Sequence, residues 1–311
     1  MIDAWKQVPG AKLVAVADET PLLENAKKDF ETSYADWREM LDKHEFDALV
    51  VTSDNVESAN IAVAALEKGI PCMVEKAMAA NAVDADRMLA ASKQFGAMLM
   101  INWPVAWAPW IQEFKAQIDG DKTGHVFHMR YRNGHWGPKE IGCDQWFVGW
   151  LHDEAKNGGG AIADFGSYGA AVARWLFGMP ETVYCVKQNT TKDYDVPDDH
   201  AILVLRYPKR DVVLEGTWAT RAWDTGPNPV AYGKNGTVAV YGNDIKFHGP
   251  NGTEDVAAAE LPTRNPAVYF MECLASGSQP EGILNAEIAA DGVRITDAAI
   301  RSNRSGCAER P

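Results

Sequence analysis

Short apolar runs alternate with helical periodicities over residues 1–102. Residues 12–17 (KLVAVA), 48–52 (ALVVT), 70–74 (IPCMV) and 97–102 (AMLMIN) are continuously apolar and predict buried strands. Between them, residues 24–30, 34–43, 59–68 and 82–95 carry helical spacing. Gly69 and Gly96 follow the last two helices, where a left-handed C-cap needs glycine. Continuous apolar strands separated by helices predict a parallel sheet covered on both faces. The pattern changes after Trp103. Helices are predicted over 110–118 and 161–177, with a strand over 126–132. Strands then dominate, at 183–188, 201–207, 212–218, 237–241 and 245–248, and helices at 267–275 and 286–301 finish the chain. The fold class is α/β, with a Rossmann-type domain over 1–103. An α+β domain on a mainly antiparallel, mixed, open sheet follows over 104–311.

Composition narrows the function. The 311 residues are 46% hydrophobic and 23% charged, with a formal net charge of −13. That sign repels nucleic acid and anionic membrane surfaces. No apolar run approaches the about 18–20 residues of a membrane span. The five cysteines include no C-x-x-C pair, so reduced thiols in a cytoplasmic setting are expected and no metal site is. The seven histidines form no H-x-x-x-H pair. Asp193, Asp195, Asp198, Asp199 and His200 form an acidic cluster around Pro197, read as a solvated loop.

Three segments carry chemistry. Asp18 ends the first apolar run, where an acidic side chain accepts hydrogen bonds from an adenosine ribose. Glu19 follows with no arginine beside it, which favours NAD over NADP. Helix capping is the competing reading of Asp18. Glu75 and Lys76 follow the 70–74 run directly, at the strand ends that face the ligand crevice of an open parallel sheet. The competing reading is a solvated charge pair. Residues 158–178 (GGGAIADFGSYGAAVARWLFG) set Asp164 and Tyr168 at i and i+4 on one helical face. A tyrosine beside an ammonium has its pKa lowered and can transfer a proton. A buried core tyrosine is the alternative. The glycines match no phosphate loop and are read as points of close backbone approach.

In this order, AVAD, EK, GGGAIADFGSY and a strand-rich second half, the chain resembles the Gfo/Idh/MocA oxidoreductases. Residues 50–69, 175–183 and 232–238 and the final helix extend the resemblance over nearly the whole chain. It implies hydride transfer between NAD and a sugar, polyol or related hydroxy compound, in a homodimer or homotetramer. The family's E-K-P lysine falls on Lys76. Its G-G-G-x-L-x-D-x-G-x-H motif falls on 158–168, with Asp164 at the aspartate and Tyr168 at the acid/base position. The resemblance also places Asn55 near the cofactor, beside Asp18, Glu75 and Lys76. Asp54, Ser58, Ala77 and Ala171 depart from the family pattern. The family opens with a strand and a G-x-G-x-x-G/A turn, here absent before Asp18. On the order of 20–25 residues of a βαβ unit are therefore expected to be missing, leaving two strands without a neighbour. A signal peptide within such a segment stays open.

The loop residues His135 and Trp136 are weaker candidates for substrate binding, with His152 and Asp153 weaker still. Two other functions suit the same resemblance: NAD-dependent glycoside cleavage, and a silent sugar-binding or oligomerising paralogue.

Overall fold

The computed structural model describes residues 1–222, 226–258 and 265–311. The chain opens with α1 (Ile2–Lys6), β1 (Ala15–Ala17), α2 (Leu23–Ala26), β2 (Thr32–Tyr34), α3 (Trp37–Lys43) and β3 (Leu49–Val51). It continues through α4 (Asn55–Glu67), β4 (Cys72–Glu75), α5 (Ala82–Phe95) and β5 (Leu99–Asn102). All ladders in this part are parallel, but they form two sets, β1–β2 and β3–β4–β5. Among the described residues no ladder joins β1 to β3, so each of these strands is paired along one edge only.

Several boundaries differ from expectation. Asp54 caps α4, accepting from the N–H groups of Val56 and Glu57, so that helix starts at Asn55 rather than near residue 59. Residues 24–30 form α2 and a 3-10 turn rather than one helix. Thr32–Tyr34 is a strand, and α3 begins only at Trp37 behind its Asp36 cap.

The second half comprises α6 (Ile111–Asp119), β6 (Val126–Gly134), α7 (Gln145–Leu151), α8 (Glu154–Asn157), α9 (Ser167–Phe177), β7 (Thr182–Gln188), β8 (His200–Tyr207) and β9 (Arg210–Thr217). Then come β10 (Val230–Gly233), β11 (Thr237–Tyr241), β12 (Asp244–Gly249), β13 (Gly252–Val256), α10 (Pro266–Ser276) and α11 (Ala286–Ser305). The eight strands form one open sheet in the order β13-β12-β11-β10-β6-β9-β8-β7, and only β6–β9 is parallel. Alternation along β8 buries Ala201, Leu203 and Leu205 on the face covered by the turn before α9, as period-two patterning requires.

Helix α11 ties the halves together. Gly292 packs close against Ala171 of α9, while Asp297 accepts from the Ala82 N–H at 3.1 Å and Arg294 pairs with Asp86. No helix among the described residues is long and apolar enough to cross a membrane. All five cysteines are free thiols.

Candidate active site

Strands β3 and β4 end side by side, and the segment before α9 lies against their ends. Together they enclose a cavity of about 190 Å³ lined by Thr52, Ser53, Asn55, Glu75, Lys76, Phe147, Trp150 and Asp164, among others. Four of the sequence candidates therefore line it.

Lys76 forms an ion pair with Asp164 Oδ1, and the two side chains are 19% and 5% exposed. The other oxygen, Asp164 Oδ2, accepts from Trp218 Nε1 at 2.9 Å. With both its oxygens engaged, the Asp164 carboxylate is fixed, and it holds the ammonium in place. The Lys76 Nζ lies 5.1 Å from the ring centroid of Tyr168 and 5.6 Å from that of Phe165. Burial alone would lower the pKa of Lys76. The charge and hydrogen bond of Asp164, with Tyr168 and Glu75 alongside, outweigh burial and hold it above its ordinary value.

Tyr168 is 7% exposed, set edge-on to Trp103 at 5.2 Å. Its pKa is raised, against the expected lowering. Burial is the largest cause; Lys76 lowers it, but Asp164 and Glu75 reinforce burial. At neutral pH the phenol therefore keeps its proton. Burial also raises Glu75, whose Oε1 accepts from Asn102 Nδ2 at 2.7 Å. Asn102 in turn accepts from Trp107 Nε1 at 2.9 Å, so the group that anchors the carboxyl is itself held. The Lys76–Ala77 peptide bond is cis.

The glycines of 158–168 are points of close approach, as read from the sequence. A Cβ on Gly158 would lie 2.1 Å from the Ala80 carbonyl oxygen, and one on Gly160 would lie 2.0 Å from the Asp198 carbonyl oxygen. Residues 162–166 form a turn of π-helix leading into α9, and this turn places Asp164 and Tyr168 toward Lys76.

The acidic cluster is corrected. Asp198 and Asp199 are fully buried rather than solvated. Asp198 accepts from the N–H groups of Gly160 and Ile162 at 3.0 and 2.8 Å and pairs with Lys187 at 3.2 Å. Asp199 accepts from the backbone and hydroxyls of Thr190 and Thr191. These carboxylates pin the glycine segment and the loop before β8.

Other candidates are placed as follows. Asn55 is buried at the start of α4, and its Nδ2 donates to Asn157 at 2.9 Å, linking the first domain to the glycine segment. Asp18 lies at the end of β1, outside the Lys76 cavity, with Oδ1 accepting from the Thr20 N–H at 2.7 Å. His135 packs edge-on against Phe165 at 4.8 Å. Trp136 does not line the Lys76 cavity; it lines a second one with Arg221. Asp153 caps α8 instead of facing the cavity. Trp218, Asn157 and Asp198 were missed in the sequence. The partners that tie them into the site (Asp164, Asn55 and Ile162) lie 36 to 102 residues away along the chain, so no local pattern announces them.

The donors present suit the nicotinamide end of a dinucleotide. They are polar groups at strand C-termini, with one ammonium beside a buried phenol. The sequence has no G-x-G-x-x-G turn for the pyrophosphate, and Asp54 occupies the N-terminus of α4.

A divided parallel sheet with polar groups at its strand ends, joined to a large mixed sheet whose covering helix α9 and the turn before it supply a tyrosine and a lysine-paired aspartate, defines a two-domain protein of Rossmann type. Residues 1–103 match the oxidoreductase family with an NAD-binding Rossmann fold, and residues 111–253 match the GFO/IDH/MocA C-terminal domain; the chain belongs to the Gfo/Idh/MocA family. It is 25% identical over 180 residues to levoglucosan dehydrogenase of Pseudarthrobacter phenanthrenivorans, a stretch covering 58% of this chain and 45% of that protein. It is 24% identical over 260 residues to D-apiose dehydrogenase of Rhizobium rhizogenes, covering 80% of this chain and 72% of that one. The structure of a levoglucosan dehydrogenase in complex with NADH and levoglucosan superposes with a TM-score of 0.84 at 18% identity, over 96% of this chain and 90% of that one.

Proposed function

We propose that the protein is an NAD-dependent dehydrogenase or reductase acting on a sugar, polyol or related hydroxy compound. The observation that carries this reading is the Lys76–Asp164 pair set against the buried Tyr168 at the strand ends. Lys76, Glu75, Asn55 and Asp18 hold the cofactor, with Asp18 on the adenosine ribose; NADP, with its extra phosphate, meets the Asp18–Glu19 charge. When bound, NAD supplies the hydride acceptor or donor. Lys76 donates a hydrogen bond to the substrate oxygen, and Asp164 keeps that ammonium aimed. In reduction, Tyr168 gives its phenolic proton to the oxygen as the carbonyl becomes a hydroxyl. In oxidation, the substrate O–H bond breaks toward Tyr168. The raised pKa of Tyr168 suits the acid role at neutral pH and delays the base role to alkaline pH.

The domains divide after Trp103, the first serving cofactor and the second substrate. The chain functions in the cytoplasm. It assembles as a homodimer or homotetramer through the open face of the large sheet, where Tyr184, Val186, Ile202 and Val204 form facing pairs and are exposed.

The test is steady-state turnover of a sugar and polyol panel with NAD+ and NADH. Tyr168→Phe should lower kcat about 10²–10⁴-fold while leaving the NADH dissociation constant unchanged. The alkaline rise in oxidation should vanish with it. Unaltered turnover in that variant would remove the assignment.

A further inference from the structure

Trp218 follows β9 directly and is fully buried. Its backbone N–H donates to the Asp199 carbonyl oxygen at 2.7 Å. The Asp199 carboxylate is in turn bonded by Thr190 and Thr191, so that anchor is fixed. The indole packs with Leu151 and Ala161 in a small cluster of its own, with Trp150 and Phe165 against it. A side chain enclosed at that density keeps one orientation. Here the orientation aims Nε1–H at Asp164 Oδ2, 2.9 Å away. Trp218 does not line the Lys76 cavity, so whatever it does for the reaction passes through Asp164.

The Lys76–Asp164 pair does not by itself decide where the ammonium stands. A lysine reaches its partner on a flexible stem and donates in any of three directions. A carboxylate has two equivalent oxygens and can turn to offer either of them. An indole N–H removes that freedom, because it only ever donates, at any pH. It takes Oδ2 and leaves Oδ1 to Lys76. Asp164 is buried, so without the indole Oδ2 is a charged acceptor short of a donor, and the carboxylate turns it toward the ammonium instead. The position at stake matters to the phenol. Nζ lies 5.1 Å from the Tyr168 ring centroid, and its charge opposes the rise in the Tyr168 pKa that burial causes.

We propose that Trp218 is a positioning residue of the reaction: by holding Asp164 Oδ2 it fixes the Lys76 ammonium at the spot from which it serves both the substrate oxygen and Tyr168. This rests on the dehydrogenase reading above. Trp218 itself touches neither substrate nor cofactor. Its part is to turn a mobile ion pair into one with a single geometry.

The test is NMR of the full chain with isotope-labelled lysine and tryptophan side chains, run beside turnover of the sugar and polyol panel. The Lys76 ammonium signal is identified by its loss in Lys76→Met. In the wild type its protons should exchange with water far more slowly than those of surface lysines. Trp218→Phe keeps an aromatic ring and removes the donor. It should speed that exchange about tenfold, the loss of one hydrogen bond to a charged group, and lower kcat about as much. The NADH dissociation constant should stay unchanged, and the alkaline rise in oxidation should move to higher pH. In the Asp164→Asn background, where no ion pair is left to position, the same change should add little. Thermal melts confirm that each variant is folded. Unchanged Lys76 exchange and an unchanged pH profile in folded Trp218→Phe overturn the proposal, even if kcat falls. Should that variant not fold, the wild type decides. Lys76 protons that exchange as fast as those of surface lysines overturn the proposal. Slow exchange that Asp164→Asn abolishes, with the Trp218 Nε1–H signal shifting alongside, supports it. The expected change in exchange without turnover of any sugar or polyol leaves the positioning of Lys76 standing and removes the dehydrogenase reading. Turnover with no change in exchange does the reverse.

Discussion

Among the described residues, eight strands of the second domain share one sheet, whereas the five strands of the first fall into sets of two and three. The functional groups divide along the same line. Glu75 and Lys76 at the end of β4 and Asn55 at the start of α4 belong to the divided part, whereas Asp164, Tyr168 and Trp218 stand on or against the continuous one. Side-chain bonds across the line compensate for the interruption. Asp164 fixes Lys76, Asn157 fixes Asn55, and Asp297 of α11 caps the entry to α5. The continuous half thus acts as the template on which the divided half positions its charged groups.

Removing the clamp of the continuous half should have the largest effect. Asp198→Ala leaves the Gly160 and Ile162 N–H groups and the Lys187 ammonium without their buried partner. A loss of about 3–5 kcal/mol is expected in denaturant unfolding, with turnover falling in parallel as the glycine segment loosens. A loss within about 1 kcal/mol, the size of a typical surface hydrogen bond, would show that the clamp is dispensable.

Two leucine truncations sharpen the contrast between the halves. Leu214 on β9 is 1% exposed in the middle of the sheet, and Leu49 on β3 is 8% exposed at an edge. Leucine-to-alanine changes in cores cost about 2–5 kcal/mol, and Leu214→Ala should sit at the top of that range with Leu49→Ala at the bottom. Equal losses in urea unfolding would break the comparison.

The smallest effect is that of pH. Burial lowers the pKa of His135 and His152 below the ordinary histidine value. The unfolded chain then binds protons that the folded one refuses. Stability should therefore be complete above about pH 6.5 and decline as the pH falls below it. Melting temperatures across that interval check the sign, and His152→Phe should flatten part of the slope.

Much of this architecture is legible in the sequence because it is local. Continuous apolar runs give β3, β4 and β5, glycine punctuation gives the end of α5, and short apolar segments separated by turn signals such as Tyr207-Pro208 give β7 through β9. Elements without a pattern are not legible. β2 is the polar triplet TSY, and β13 (GTEDV) is an edge strand with almost no apolar residue. Helix α7 was missed because its aromatic run, QWFVGWL, has no polar face. At the site, Lys76, Asp164 and Tyr168 stand out by motif and order. Asp198 does not: adjacent aspartates around a proline look solvated, and the backbone that buries Asp198 lies 38 residues upstream at Gly160. The Tyr168 pKa was misjudged for a related reason. Spacing along one helix shows the lysine's attraction but not the depth of burial that outweighs it.

Hydrogen–deuterium exchange of the full chain with and without NADH tests the central claim most directly. The account predicts slow exchange in β8 and β9 in both states. On NADH binding, new protection should be confined to the ends of β3 and β4, to residues 52–56 and 75–77, and to the 158–168 segment facing them. Unchanged exchange at those three places under saturating NADH would contradict it.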